Sequence, residues 1–173
     1  MTERPSDIIY SLRPIENEDS RVLILGSIPG AESLRKQQYY ANQRNHFWPI
    51  IYGIFGQNPD EDYERRKRFL LAKGIALWDV IEKCERSGSL DANIKNEQPN
   101  KIEELLNTHP EIRLVVFNGT KAYDIYRKKI GFEENTARIY KLLPSTSPIP
   151  GKNIKTFAEK FEVWKSIAEY LNG

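Results

Sequence analysis

The chain has 173 residues and a formal net charge of +2, with 39% hydrophobic and 29% charged side chains. This length suits one domain with one core, residues 1–173, and no apolar run approaches the roughly 18 residues that a membrane span requires. Because Cys84 is alone and residues 1–6 are polar, we expect no disulfide, no cysteine-based metal cluster and no signal peptide, and hence a cytoplasmic protein.

Four short apolar runs predict the strands, in chain order at residues 21–26, 74–78, 113–117 and 138–143. The first has no polar alternation, as expected of a strand that is buried on both faces. The fourth is the least hydrophobic, which places it nearer a sheet edge.

The segments between these runs predict helices at 47–55, 62–73, 101–107 and 120–129, followed by a C-terminal helix. Asn100 followed by Glu103 resembles a capped helix start. The C-terminal helix has one apolar stripe, formed by Ile154, Phe157, Phe161, Trp164, Ile167, Ala168 and Leu171. Strands alternating with helices predict an α/β fold, a three-layer αβα sandwich around a four-stranded parallel sheet.

Three of the predicted strand exits carry unusual residues: Gly-Ser-Ile-Pro-Gly at 26–30, Asn-Gly-Thr at 118–120 and Pro-Ser-Thr-Ser-Pro-Ile-Pro at 144–150. The carboxyl ends of parallel strands share one sheet edge, so these loops are expected to form one site. Loop 26–30 is either a rigid turn whose N–H groups hold a ligand or an ordinary strand-ending turn. Loop 144–150 suits phosphate contacts, although prolines also stiffen ordinary loops.

Residues 37–48 are dense in amides and aromatic rings and contain no carboxylate. A flat heteroaromatic ligand needs a ring to stack on and amides to read its edge, so Tyr39 or Tyr40 could stack and Asn42 and Asn45 could hydrogen-bond. The alternative is that the rings belong to the core and the amides cap turns. The two histidines are too scattered for a metal site, and we expect neither a metal nor a cofactor.

The distribution of charge is more informative than the net charge. Residues 33–58 contain no acidic side chain, and residues 121–160 hold nine Lys or Arg against four Asp or Glu. A basic face would suit a polyanion such as DNA, although many helical surfaces look like this by chance. The candidate DNA-facing cations are Arg35, Lys36, Arg44, Lys141 and Lys152.

Together, these loops resemble the uracil-DNA glycosylase superfamily. The first motif of its mismatch-specific branch, Gly-x-Asn-Pro-Gly, an aromatic and Asn-x-Phe-Trp, appears at 26–30, Tyr40 and 45–48. The second motif matches Leu-Pro-Ser-Thr-Ser-Pro at 143–148. With Leu-Trp-Asp-Val at 77–80, Gly-Ser-Leu-Asp at 88–91 and Phe-Asn-Gly at 117–119, the set looks most like the DNA-deoxyinosine (hypoxanthine-DNA) glycosylases.

The resemblance implies a base-excision-repair enzyme that flips a deaminated base from damaged DNA and hydrolyses its N-glycosidic bond. Many relatives carry Asp or Asn in the first motif to position the water, where this chain has Ser27 or Ile28. In the deoxyinosine branch, the resemblance implies that an asparagine from the following segment positions the attacking water. By alignment to Asn-x-Phe-Trp, this is Asn45, with Asn42 second.

The remaining roles are implied in the same way. Tyr40 would stack on the base, Asn118 would hydrogen-bond in the pocket, and the backbone of the first motif would read the base edge, at Ser27, Ile28 and Pro29. The residues implied to contact the DNA backbone are Pro144, Ser145, Thr146 and Ser147, with Arg44 added for its charge.

We expect a monomer that acts on DNA, without a membrane partner. Three alternatives stay open at this point. The chain could be a uracil- or thymine-selective member of the superfamily, because selectivity depends on pocket shape. It could be a non-catalytic nucleic-acid-binding domain of the same fold, since Ser27 is not a useful general base. An unrelated nucleotide-binding α/β protein is disfavoured because no phosphate-binding Gly-Lys motif follows the first strand.

Overall fold

The computed structural model describes residues 7–148 and 155–171, which form two sheets and six α-helices within those ranges. The strands are β1 (Asp7–Tyr10), β2 (Val22–Gly26), β3 (Ile75–Asp79), β4 (Ile81–Arg86), β5 (Lys95–Pro99), β6 (Leu114–Asn118) and β7 (Ile139–Leu143). The larger sheet is parallel throughout and has the order β3-β2-β6-β7. The four predicted strands and the edge position of the last one are therefore confirmed.

Helices cover both faces of this sheet, as the α/β prediction requires. The helices are α1 (Ala31–Lys36), α2 (Phe47–Ile54), α3 (Tyr63–Ala72), α4 (Ile102–Thr108), α5 (Thr120–Lys129) and α6 (Phe157–Trp164). Val22 and Ile24 of β2 pack with α2, α3 and α6, whereas Leu23 and Leu25 pack with α4 and α5. This alternation along one strand buries both faces of the sheet and confirms the three-layer sandwich.

A second, three-stranded antiparallel sheet with the order β1-β4-β5 was not predicted. The chain passes directly from β3 into this sheet at Val80, whose N–H donates to the Gly26 carbonyl. Strand β4 does carry a signal, because Ile81, Cys84 and Arg86 are buried while Glu82 is exposed. Strand β5 reads Lys-Asn-Glu-Gln-Pro, a composition that disfavours strands, so only its pairing with β4 explains it.

The capping prediction for Asn100 is wrong. Helix α4 begins at Ile102, and Lys101, not Asn100, stands at its N-cap without a side-chain hydrogen bond. The Asn100 amide donates instead to the carbonyl oxygens of Asp79 at 2.8 Å and Ile81 at 3.3 Å. It thereby satisfies backbone groups where the chain leaves one sheet for the other.

The C-terminal helix is shorter than predicted. Thr156 accepts from the Glu159 N–H while Glu159 bonds back to the Thr156 N–H, a capping box that starts α6 at Phe157. After Trp164 the chain continues as a 3-10 helix, Lys165–Tyr170. Trp164 and Ile167 of the predicted stripe are fully buried, whereas Phe157 is 40% exposed and Ile154 lies outside the described residues.

Among the helices within residues 7–148 and 155–171, none has the length and apolar character that a bilayer crossing requires.

Candidate active site

A cavity of about 520 Å³ opens at the carboxyl ends of β2, β6 and β7. All three predicted loops reach it, so the prediction that they converge on one edge is confirmed. Two further segments complete the walls: the amide-rich segment after α1 and a loop between β4 and β5. The lining residues are Gly26–Ser33, Tyr39, Tyr40, Asn42, Asn45, Asp79, Ser89–Ala92, Asn118 and Ser145–Pro148.

Hydrogen bonds from neighbouring backbone and side-chain groups fix the first-motif loop, residues 26–30. The carbonyl oxygens of Gly26 and Ser27 accept from the N–H groups of Val80 and Ile81, at 2.8 and 3.1 Å. Arg86, only 1% exposed, donates through Nη2 to the Pro29 carbonyl at 2.8 Å and through Nε to the Gly88 carbonyl at 2.8 Å. This buried guanidinium, which sequence reasoning missed, joins the first-motif turn to the loop between β4 and β5, and both of these segments line the cavity.

The predicted base-reading residues lie in the cavity wall. The Ser27 hydroxyl donates to Asp91 Oδ1 at 2.9 Å and is therefore committed within the protein. Ile28 and Pro29 are buried. Within the described part of the chain, the N–H groups of Ser27 and Ile28 donate no hydrogen bond, which leaves two backbone donors beside the cavity.

Tyr40, not Tyr39, is placed to stack on a ligand. Tyr39 is 4% exposed, and its hydroxyl donates to the Arg13 carbonyl at 2.7 Å. Tyr40 is half-buried, has a positive φ of 52°, and its ring stacks on Phe47 with the centroids 4.0 Å apart. Burial, together with nearby Asp79, raises the pKa of Tyr40 well above its usual range, so the phenol stays protonated at neutral pH.

Asn118 braces two walls of the cavity. Its Nδ2 donates to Tyr40 Oη at 3.1 Å and to Thr146 Oγ1 at 2.9 Å, and its Oδ1 accepts from the Thr146 N–H at 2.9 Å. Both amide hydrogens are therefore in use, which disfavours the predicted contact between this side chain and a base.

Thr146 also departs from its predicted role in phosphate binding. It is 1% exposed and its hydroxyl is bonded to Asn118, so its side chain positions the loop and does not meet solvent. Of the neighbouring residues, Ser145 is exposed, while Pro144 and Ser147 are half-buried.

The two predicted water-positioning asparagines both lie in the cavity wall and both form Asx turns. Asn42 Oδ1 accepts from the Arg44 N–H at 2.9 Å, and Asn45 Oδ1 accepts from the Phe47 N–H at 2.9 Å. Asn45 is half-buried and Asn42 exposed. Asn45 thus satisfies the first N–H of α2, which is the turn-capping role that the sequence left open as the alternative for these amides. Arg44 is exposed and lies outside the cavity wall.

Asp79 is the main feature that the sequence-based prediction missed. It is the last residue of β3, it lines the cavity, and it is only 4% exposed. Its Oδ2 has no hydrogen-bond partner within the described residues. Burial, reinforced by the charge of Asp91 and opposed by Arg86, raises its pKa to about 7.

A lysine is buried beside the cavity as well. Lys160 of α6 is 6% exposed, and its Nζ lies 3.2 Å from His46 Nδ1 and 3.4 Å from the Ser147 carbonyl oxygen. Burial lowers the pKa of Lys160, and burial together with Lys160 lowers that of His46, which favours a neutral imidazole. Within the described part of the chain, Lys160 forms no ion pair with a carboxylate.

Two of the other predicted DNA-facing cations already contact groups of the protein. Arg35 pairs with Glu32 at 2.8 Å, and Lys141 Nζ lies over the Tyr170 ring at 5.4 Å. Lys152 lies outside the described residues. Over residues 7–148 and 155–171, no group of three or more His, Cys, Asp or Glu side chains could hold a metal ion.

Comparison with known proteins adds an independent line of evidence. A family model described as the uracil DNA glycosylase superfamily matches residues 14–168. A protein of Methanosarcina acetivorans named hypoxanthine DNA glycosylase is 37% identical over 154 residues, covering 87% of this chain and 92% of that protein. A protein of the same name from Methanosarcina barkeri is 35% identical over 156 residues, covering 86% of this chain and 95% of its own.

A solved structure agrees with these sequence matches. The solution NMR structure of a protein from Methanosarcina acetivorans, described as a uracil DNA glycosylase, superposes with a TM-score of 0.77 at 34% identity. The superposition covers 96% of this chain and 100% of that one.

Proposed function

The chain belongs to the uracil DNA glycosylase superfamily, and from this premise we propose that it is a DNA glycosylase that hydrolyses the N-glycosidic bond of hypoxanthine in DNA. The single observation that carries the proposal is the cavity at the carboxyl edge of the sheet, walled by Tyr40, three amide side chains and a rigid backbone turn. A volume of about 520 Å³ lies within the range of small-molecule sites.

Recognition of the base needs the nucleotide to leave the DNA helix, since the glycosidic carbon is otherwise inaccessible. The ring of Tyr40, held against Phe47, supplies a face on which the flipped base stacks. The N–H groups of Ser27 and Ile28, next to Pro29, supply donors for its carbonyl edge. Asn118 keeps Tyr40 in position and acts through it.

The water-positioning residue in this proposal is Asn45, with Asn42 as the alternative. Cleavage of the base–sugar bond builds positive charge on the sugar, and water adds to an oxocarbenium-like carbon that needs no strong general base. After accepting from Phe47, the Asn45 oxygen keeps one lone pair, which is enough to orient one water. The half-buried position of Asn45 limits competing bulk water.

The DNA backbone would be held at the rim of the cavity. Ser145 and Ser147 supply hydroxyls, Pro144 fixes the loop, and Lys160 supplies a positive charge beside the Ser147 carbonyl. An anionic phosphate near Lys160 would supply the counterion that this buried ammonium lacks among the described side chains. Arg44 lies two residues from Asn42 and adds an exposed cation.

One chain supplies the whole cavity, so we propose that the protein acts as a monomer. We also propose that residues 1–173 form a single domain. Its substrate, cellular DNA, is consistent with the cytoplasmic location expected above. No metal or cofactor enters the proposed reaction.

The test is an incision assay on duplex oligonucleotides that carry one deoxyinosine, one deoxyuridine or no lesion. After alkali cleaves the abasic site, the deoxyinosine strand should be cut and the undamaged strand should not. Chromatography of the supernatant should find free hypoxanthine in equal amount to the abasic sites. Efficient cutting of deoxyuridine with none of deoxyinosine would assign the enzyme to uracil, and base release from neither substrate would leave only a binding function.

A further inference from the structure

Asp79 carries the only buried carboxyl among the described residues that line the cavity, and the mechanism above does not use it. Its Oδ2 has no hydrogen-bond partner in the described structure, and none of the ion pairs formed within residues 7–148 and 155–171 includes Asp79. Arg86, the cation that favours its ionisation, donates to the carbonyls of Pro29 and Gly88 and forms no ion pair with Asp79 in the described structure. A buried carboxyl without a partner is costly, which indicates that the cavity's ligand completes its hydrogen bonding.

The surroundings of Asp79 fix its position closely. A Cβ at Gly26 would lie 2.6 Å from Asp79 Oδ1 and 3.2 Å from Tyr40 Oη, so the carboxyl packs directly against the first-motif turn. Asn100 holds the Asp79 carbonyl from the other side at 2.8 Å. The carboxyl is therefore a fixed part of the cavity wall, next to the ring on which the base is proposed to stack.

Two charged groups on the neighbouring elements act on this carboxyl, and two phenols lie close to it. Asp91 disfavours its ionisation, Arg86 favours it, and the phenols of Tyr39 and Tyr40 remain neutral because burial raises their pKa values. Burial is the largest influence and keeps a substantial fraction of Asp79 protonated at neutral pH.

Only the protonated form suits a departing purine. When the bond between C1′ and N9 breaks, its electron pair goes to the base, and negative charge spreads to N7 and O6. An ionised carboxylate in the same dry cavity would repel that charge, whereas a protonated carboxyl can donate to it. A purine leaves more readily when it is protonated, because it then departs as a neutral molecule.

We propose that Asp79 is the general acid of the reaction, donating its proton to N7 of hypoxanthine as the glycosidic bond breaks. The C1′–N9 electron pair stays with the base, which leaves as neutral hypoxanthine. Water bonds to C1′ and releases one proton to solvent, and the Asp79 carboxylate recovers one proton from solvent, so the cycle balances. The inference rests on the proposed glycosylase activity and adds a second catalytic residue to it.

The test is the pH dependence of single-turnover hypoxanthine release by the full chain, from pH 5.5 to 9. The wild-type rate should be constant at low pH and fall about tenfold for each pH unit above the break. Asp79→Asn, which has the same shape and cannot transfer a proton in this way, should be slower at pH 6 by on the order of 100-fold and show no break.

Asp91→Asn provides the matched variant. Removing that charge should move the wild-type break to lower pH, an effect that a purely structural role for Asp79 would not produce. Circular dichroism and thermal unfolding establish whether each variant is folded, and the wild-type profile and Asp91→Asn test the proposal even if Asp79→Asn is unstable.

The outcomes separate the two claims. A wild-type protein that releases no base contradicts the proposed function itself. An active wild type with a flat or rising profile, or a folded Asp79→Asn that releases hypoxanthine at the wild-type rate at pH 6, overturns the role of Asp79 and leaves the glycosylase intact.

Discussion

Replacing Asn45 tests two roles of one side chain, the Asx turn that it forms at the start of α2 and the positioning of water that we propose for it. Its Oδ1 accepts from the Phe47 N–H at 2.9 Å at the start of α2, and its amide faces the cavity in which water must be positioned. Asn45→Ala removes both functions. Loss of the turn should lower the free energy of unfolding by about 1 kcal/mol, a fall in Tm of roughly 2–4 °C for a chain of this size.

The effect on catalysis should be much larger. Loss of one group that acts in the transition state slows a reaction by on the order of 100-fold, about 2.7 kcal/mol. Asn45→Ser keeps a hydroxyl that can accept from the same N–H but is too short to replace the amide. This variant should recover part of the stability and none of the rate, which separates folding from catalysis.

Single-turnover release of hypoxanthine from a deoxyinosine duplex measures the rate, and urea denaturation measures the stability. Asn42→Ala is the matched control, since it removes the other Asx turn of the cavity wall and should slow release less. Excision by Asn45→Ala at the wild-type rate would show that Asn45 does not position the water. If Asn42→Ala is then the slow variant, Asn42 positions the water.

Four further predictions follow from particular contacts. Gly26→Ala should lower activity at least tenfold because its Cβ would meet the Asp79 carboxyl at 2.6 Å, whereas Gly30→Ala, with nothing within 4 Å, should keep wild-type stability in a thermal melt. The raised pKa of Asp79 makes its contribution to the stability of the fold largest below pH 3.8, the ordinary pKa of the carboxyl, and this contribution is lost as the pH rises through about 7. In urea titrations, the free energy of unfolding of wild type relative to that of Asp79→Asn should fall by at most about 4 kcal/mol between these two pH values. A difference between the two proteins that stays constant with pH would contradict the raised pKa. Lys160→Gln should weaken DNA binding and reduce the slope of log affinity against log salt by about 1. Lys128→Gln is the control and should leave the slope unchanged, because Lys128 is 70% exposed and lies outside the cavity. Equal slopes for the two variants would show that Lys160 does not contact a phosphate. Base release should persist in excess EDTA, and loss of activity that one added metal restores would show that a metal is needed.

The parallel sheet was predictable because its inner strands, β2 and β6, are buried on both faces. Val22, Leu23, Ile24 and Leu25 leave no polar position, and such a run has few structural alternatives once helical segments flank it. The convergence of the loops then follows from topology alone, since parallel strands place their carboxyl ends on one edge. That is why the cavity was predicted without coordinates.

The antiparallel sheet was not predictable to the same degree. Strand β5 is polar throughout, and it is a strand only because β4 lies beside it. The contributions of Arg86 and Asp91 to the site depend on this pairing, because it brings the loop between β4 and β5 against the first-motif turn.

The contacts of individual side chains were also not predictable from the sequence. Asn118 and Thr146 line the cavity, as the convergence of the loops predicts, yet the sequence does not show that they bond to each other and leave little for a ligand. Asp79 follows an apolar strand and reads as a strand-ending residue. Its burial and lack of a partner depend on Gly26 packing against it from the adjacent strand.

The proposed activity of this cavity is the removal of hypoxanthine from DNA. The most direct test is to mix excess protein with a duplex carrying one deoxyinosine and to quantify free hypoxanthine over time, with Asn45→Ala in parallel. Wild type should release one hypoxanthine per abasic site, and the variant should release it more slowly by on the order of 100-fold. A protein that binds the duplex and releases no base at any enzyme excess would contradict it.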